Sequence, residues 1–318
     1  MTRSVANFRV SRITLAVLTG AAFLAAGCAP TEETADSFSA QPFEILASPS
    51  GESWISFNGS GARMLFGRHG ADWNDHAVWE SVRNGGTWSE PTEAAFSGMY
   101  SDRGARFYPA LDAVVFSSNR PLSSDDSTDD FNIWITQFDG EEWSAPEPMT
   151  PLNTEANEIH PSVAADGTIW FSSDREGTLG RSDLWYARLG ATGYEVRQAP
   201  APLNSEFSEA DSFIEPDGRY IIFSRTDDPN GLGGDDLYIS RRSGDAWTEP
   251  VNLGAAVNTP EYEYGPYVSR NGRTLFFTSH RGGTADIYTI SVDELPVRLP
   301  APLEESGIDI ESVPGGSP

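Results

Sequence analysis

The sequence predicts an all-β fold, a five-bladed β-propeller of four-stranded antiparallel blades. Three observations lead there. The phenylalanines that close short apolar runs fall at Phe66, Phe116, Phe171, Phe223 and Phe277, spaced by 50, 55, 52 and 54 residues. Each is followed by an aromatic anchor in the next run: Trp79, Trp134, Trp185, Tyr238 and Tyr288. The runs themselves, such as Thr168 to Ser172 and Thr274 to Thr278, are rich in aromatic and branched residues and are bounded by Asp-Gly, Asn-Gly or Gly-rich turns. That is the pattern of strands and hairpins, and no stretch beyond the N-terminal leader sustains a helical period. About 50 residues hold four short strands with their turns, so each repeat makes one blade.

In chain order, residues 1–27 read as an export signal. Arg3, Arg9 and Arg12 precede a short apolar run from Ile13 to Leu24, and Leu24-Ala-Ala-Gly27 leads into the single cysteine, Cys28. The run is shorter than the roughly 20 residues a spanning helix needs. The junction resembles a bacterial lipoprotein lipobox, with Ala25 where Leu is commoner. The resemblance implies cleavage before Cys28 and lipidation of that residue, and Ala29 in place of Asp favours the outer membrane. An acylated Cys28 leaves no thiol for a disulfide, a metal or catalysis. Residues 28–41 carry almost no large apolar side chains and read as a flexible tether. The propeller is expected over 42–300, followed by a disordered tail at 301–318.

The net charge is −26, and removing the three signal arginines with no acid takes it to −29. Such a field repels phosphates, so nucleic acid and bare anionic lipid are excluded as direct partners. Every basic residue is Arg.

A third marker, Trp-Ser/Thr-x-Pro, recurs at Trp88 to Pro91, Trp143 to Pro146 and Trp247 to Pro250, with Tyr194 standing in for the Trp of the third copy. The fifth copy lacks it, so a terminal segment is expected to complete that blade. Pro42 to Leu46 is preferred over Val297 to Leu299. Phe171-Ser-Ser-Asp-Arg175 with Asp183-Leu-Trp185, Gly231 to Tyr238, Asn258-Thr-Pro-Glu261, and Phe277 to Arg281 with Asp286-Ile-Tyr288 resemble the WD40-like PD40 propeller repeat of TolB-like proteins and envelope lipoproteins. The resemblance covers roughly residues 43–299 and is strongest in copies three to five. It implies an envelope binding or scaffold module without specifying a ligand.

Several residue sets could carry chemistry. Arg120, Arg175 and Arg281 recur after the second strand, and Asn132, Asp183 and Asp286 begin the third. Across a hairpin these can pair as one clasp per blade, or the arginines can form a ring for an anionic ligand. Arg225 falls two places out of that frame. Acids recur at the blade entrances, at Glu52, Glu158, Glu209 and Glu263, with Asp211 nearby. Carboxylates converging on a channel are what glycoside hydrolysis needs, so Glu158, Glu209, Asp211 and Glu263 are the catalytic candidates. Repeat-equivalent positions equally suit a structural role. Ser81 to Trp88, Thr136 to Trp143 and Ser240 to Trp247 fit the sialidase Asp-box frame, but Arg83, Phe138 and Arg242 replace its Asp.

No cofactor is required by these patterns, although Asp227, Asp228 and Asp235 supply oxygens enough for calcium. His69, His76, His160 and His280 show no metal-ligand spacing, and there is no Gly-x-Ser-x-Gly elbow. The expected function is a lipid-anchored envelope propeller binding a protein or glycan, with Trp73, Tyr262, Tyr264 and the three arginines as contacts. The alternative is a glycosidase using the channel carboxylates.

Overall fold

Five antiparallel sheets follow one another along the chain in the computed structural model, which describes residues 40–70, 75–108 and 111–300. Cys28 with the expected export signal, the expected tether up to residue 39, Trp73, and the expected tail at 301–318 lie outside the described residues. The first three strands of the blades are Gly51–Phe57, Arg63–His69 and His76–Asn84; Asp102–Tyr108, Ala113–Ser118 and Asn132–Gln137; Glu158–Val163, Ile169–Ser173 and Asp183–Gly190; Ser208–Ile214, Tyr220–Thr226 and Asp235–Ser243; and Glu263–Val268, Thr274–Ser279 and Asp286–Ser291. The first strand of each blade touches the first strand of both neighbours, which closes a ring around an axis.

The period-2 alternation of the second strands explains the packing, because each blade is buried on both faces. Phe66, Phe116, Phe171, Phe223 and Phe277 are fully buried, and each packs into the interface with the preceding blade. Their strand neighbours Leu65, Val115, Trp170 and Ile222 face the following one. Five separate apolar clusters result, one per interface.

The proline of the Trp-Ser/Thr-x-Pro marker breaks the fourth strand, since it cannot donate to the ladder. Blade 1 has Thr87–Trp88 and then Thr92–Glu93, and blade 4 has Ala246–Trp247 and then Val251–Asn252. In blade 3, which lacks the marker, the strand is continuous over Gly193–Gln198. The Ser/Thr of the Asp-box-like frame spans this hairpin instead of holding a ligand. Ser81, Thr136 and Ser240 each donate from the hydroxyl to the backbone oxygen of Ser89, Ser144 and Thr248, at 2.7, 2.8 and 2.6 Å.

Blade 5 is completed from the other end of the chain. Gln41–Pro42 pairs with Asp286–Ser291, Gln41 opposite Thr289 and Pro42 opposite Tyr288, and Phe43 donates to the carbonyl of Ile287 at 2.8 Å. Val297 and Leu299 do not form that edge; Leu299 is buried in the cluster between blades 4 and 5, with Val297 packed against it.

Candidate functional site

The acids at the blade entrances are not free in the channel. Glu52, Asp102, Glu158, Glu209 and Glu263 are all buried, and each meets an arginine of its own blade. The distances are 3.1 Å to Arg68, 2.8 Å to Arg120, 2.9 Å to Arg175, 2.8 Å to Arg225 and 3.7 Å to Arg281. The register explains why Arg225 looks displaced in the sequence. Asp102, Glu158 and Glu263 lie opposite Ser118, Ser173 and Ser279, and the arginine reaches back from two residues further on. Glu52 and Glu209 lie opposite Arg68 and Arg225 themselves. Both solutions put a guanidinium at the same carboxylate.

The expected pairing of arginine with the first residue of the third strand is corrected. Arg175 donates to Ser173, Leu152 O and Glu158, and Arg120 to Ser118, Phe96 O and Asp102. Arg281 bonds Ser279 and Val257 O. Asp183 instead accepts from the N–H groups of Leu179 and Gly180 and from Gln198; Asp286 accepts from Thr284, and Asn132 donates to Asp130. The arginines are therefore spent on the clasps, with their guanidiniums stacked near Phe171 and Trp185 or their equivalents. Burial pushes the carboxyls of Asp102, Glu158 and Glu209 up, and that of Glu52 to about 7, against the opposing pull of the arginines and hydroxyls.

A sequence signal for this role precedes three of the acids: Leu152-Asn-Thr-x-x-x-Glu158, Leu203-Asn-Ser-x-x-x-Glu209 and Val257-Asn-Thr-x-x-x-Glu263. The Asn clips the third strand through both backbone groups of Ile133, Leu184 or Leu237. The Thr or Ser then donates its N–H and hydroxyl to the acid.

Two residues after each acid the innermost strand bulges, and the residue there adopts a left-handed backbone. The five are Trp54 (φ 55°), Gly104 (61°), His160 (53°), Asp211 (52°) and Gly265 (59°). Glycine accepts this conformation freely, whereas the other three are held at a cost of about 1–2 kcal/mol each. Such strain gathers at functional sites. The two glycines also make room, since a Cβ on Gly265 would stand 2.7 Å from Trp54 Cδ1, and one on Gly104 3.1 Å from His160 Cα.

These bulges bring together a cluster that the sequence reading dispersed. Trp54 Nε1 donates to Asp211 Oδ1, and His160 Nδ1 lies 3.0 Å from the same oxygen, close but not aligned as a hydrogen bond. The ring of Trp54 packs against His160, His76 and Tyr264 at centroid distances of 4.8, 5.1 and 5.7 Å. His69 packs on His76, and Tyr264 Oη lies 3.3 Å from His280 Nε2. Arg106 crosses between innermost strands to the carbonyls of Ile55 and Pro266. Of the sequence candidates, Asp211 and Tyr264 belong here, both buried, while Tyr262 is exposed and packs edge-on to His280. Trp54, His160 and Arg106 were missed. The clue was the acid-x-Gly at 102–104 and 263–265, which marks the third position as left-handed in all five repeats.

Burial raises the Asp211 carboxyl to about 7, opposed by the Trp54 donor and the nearby Arg106 and Arg103; burial and the same arginines hold His160 well below its ordinary range. The two act on stability in opposite directions. Asp211 contributes fully below its unfolded value near 4, and that contribution is lost as pH rises through about 7. His160 contributes above about 6.5 and loses its contribution as pH falls below that. Asp211→Asn removes only the first. The variant is expected to gain about 2–3 kcal/mol on the parent between pH 5 and pH 8, measured by urea unfolding at both. A difference that does not change with pH would show that Asp211 titrates as an ordinary aspartate.

The acidic loop carrying the calcium candidates is largely engaged with the protein. Asp228 accepts from Asn230, Tyr238 Oη and Arg225, Asp227 pairs with Arg181 at the surface, and Asp235 is partly buried. Among the described residues, no group of three or more His, Cys, Asp or Glu side chains is arranged to hold a metal ion.

No family model matches the chain, and no curated protein matches it. Among solved structures, a protein described as TolB from Agrobacterium tumefaciens is 13% identical, with 79% of this chain and 80% of that one covered and a TM-score of 0.51. A glycoside hydrolase is 10% identical over 81% and 92% of the two chains at 0.53. The hydrazine synthase of Kuenenia stuttgartiensis is 13% identical at 0.51, and the match covers 78% of this chain and 38% of that one. At these identities the likeness is one of fold, which this chain shares with TolB-like propellers and with a glycoside hydrolase alike.

Proposed function

We propose that the chain is a lipid-anchored propeller of the bacterial envelope, tethered through Cys28 at the outer membrane, that binds a protein or glycan as a scaffold and does not turn a substrate over. The observation that carries this reading is the state of the entrance acids. All five are buried against arginine, so none faces a partner carboxyl across an open cleft as glycoside hydrolysis requires. The axis beside them is filled by Trp54, Tyr264, Arg106 and Asp211, which are themselves buried. The PD40-like repeats support the same reading.

One observation favours a glycosidase: Asp211 stands at the axis with its carboxyl near 7, in the range of a general acid. The two readings separate on incubation with envelope and plant polysaccharides, with released sugars followed by mass spectrometry and calcium added or chelated in parallel. No release is expected, together with retention of the protein by an outer-membrane component. Turnover abolished by Asp211→Asn, Glu158→Gln, Glu209→Gln or Glu263→Gln would establish the enzyme instead.

A further inference from the structure

The loops between the second and third strands carry a repeated apolar tip. Leu122, Leu179 and Leu232, in blades 2, 3 and 4, are 38%, 63% and 43% exposed. Each has its N–H bound by the carboxylate four residues ahead: Asp126 at 2.8 Å, Asp183 at 2.9 Å and Asp236 at 2.5 Å. In blades 3 and 4 the next residue is a glycine packed on the incoming loop of the following blade, where a Cβ would stand 1.3 Å from Phe207 O or 2.2 Å from Thr259 O. Leu179 and Leu232 thus stand on backbone fixed from two sides, and Leu122 on backbone held by Asp126. Isolated exposed leucines need no explanation, but a leucine held out by the same Leu-Gly-x-x-Asp device on two successive blades, with Leu122 held by an aspartate turn within the loop of the blade before them, does. Tyr262 lies against Gly234 beside Leu232, and Met99 and Tyr100 are exposed on the loop entering blade 2, at the same end of the propeller.

The charge around these tips has one sign. Asp125, Asp129, Asp174, Glu176, Glu206 and Glu261 are exposed on the loops of this face. Its one exposed arginine among the described residues, Arg181, is paired with Asp227. Other exposed arginines lie toward the opposite face, at Arg188, Arg242, Arg270 and Arg273, or on the outer strand of blade 3, where Arg197 is paired with Glu195.

We infer that this face docks a cationic amphipathic segment of a partner protein, its apolar side on the leucine and tyrosine tips and its Lys or Arg residues among the surrounding carboxylates. The assignment rests on the binding reading above and supplies its partner chemistry. Apolar anchors provide affinity and the acidic surround provides orientation and rate. An anionic membrane is repelled by the same surround.

Fluorescence anisotropy of the purified protein tests this with an 18-residue Leu/Lys amphipathic peptide, a Gly/Lys peptide of equal charge and a Leu/Glu peptide. The Leu/Lys peptide alone should bind tightly, weakening about tenfold between roughly 50 and 300 mM salt. Leu122→Ser/Leu179→Ser/Leu232→Ser should weaken it at least about tenfold. Leu111→Ser/Leu189→Ser, which changes exposed leucines toward the opposite face, should stay within about twofold. Equal binding of the Gly/Lys peptide, equal loss in the opposite-face variant, or binding of zwitterionic vesicles in place of the peptide would overturn the assignment. Absence of peptide binding with outer-membrane retention intact would overturn it and leave the broader reading standing, whereas sugar release would remove that reading itself.

Discussion

Arg175→Met is expected to destabilise the protein by about 3–5 kcal/mol, because it leaves Glu158 buried without its counter-charge. In a propeller of this size that corresponds to a fall of roughly 10 °C in melting temperature. Glu158 is wholly buried, and the donors that remain, Thr154 and Ser173, cannot neutralise it. The methionine preserves much of the contact with Phe171 and Trp185, so the loss reports the charge more than the packing. Adding Glu158→Gln should restore more than half, since a neutral amide can both accept from Thr154 N–H and donate to a hydroxyl. Thermal and urea unfolding of the single and double variants measure this. A single variant within about 1 kcal/mol of the parent would mean that Glu158 is already neutral in the fold.

Trp54 carries the second large effect, through two contributions that can be separated. Trp54→Ala removes a fully buried ring and should cost about 3–5 kcal/mol, while the alanine still has to hold φ 55°. Trp54→Gly removes the same ring and releases that conformation. It should therefore be more stable than the alanine variant by about 1 kcal/mol, the reverse of the usual order in a strand. Urea unfolding decides the order, and hydrogen exchange at the neighbouring innermost strands should accelerate in both. Alanine proving the more stable would show that the bulge relaxes to an ordinary extended backbone without the ring. Gly265→Ala is the complementary change, introducing both the unfavourable φ and the 2.7 Å approach to Trp54.

The repeat was legible because its signals are local. Phe66 to Phe277 alternate with their strand neighbours at period 2, and a strand buried on both faces can hardly hide that pattern. The clasps were legible as a recurring arginine after the second strand in three blades, but the partner was misassigned, since sequence spacing does not reveal register. Only the pairing of Glu209 with Arg225, against Glu158 with Ser173, shows that two spacings reach one geometry. The axial cluster was hidden more deeply. Trp54, His160 and Asp211 come from three blades, share no residue type, and meet only because a ring brings their bulges to a common axis. Their one trace in the sequence was glycine at the same position in the other two repeats.

The pairing of Gln41 with Thr289 joins residues 248 apart in the chain. Loop-closure entropy makes such a contact slow to form, and high contact order retards folding generally. A chain made from its N-terminus presents this first strand long before the blade that receives it. Four interfaces can form in sequence, but the fifth must wait for both ends, so folding is completed by a single late closure. Shortening the C-terminal end by one blade would therefore also leave the first strand without a sheet.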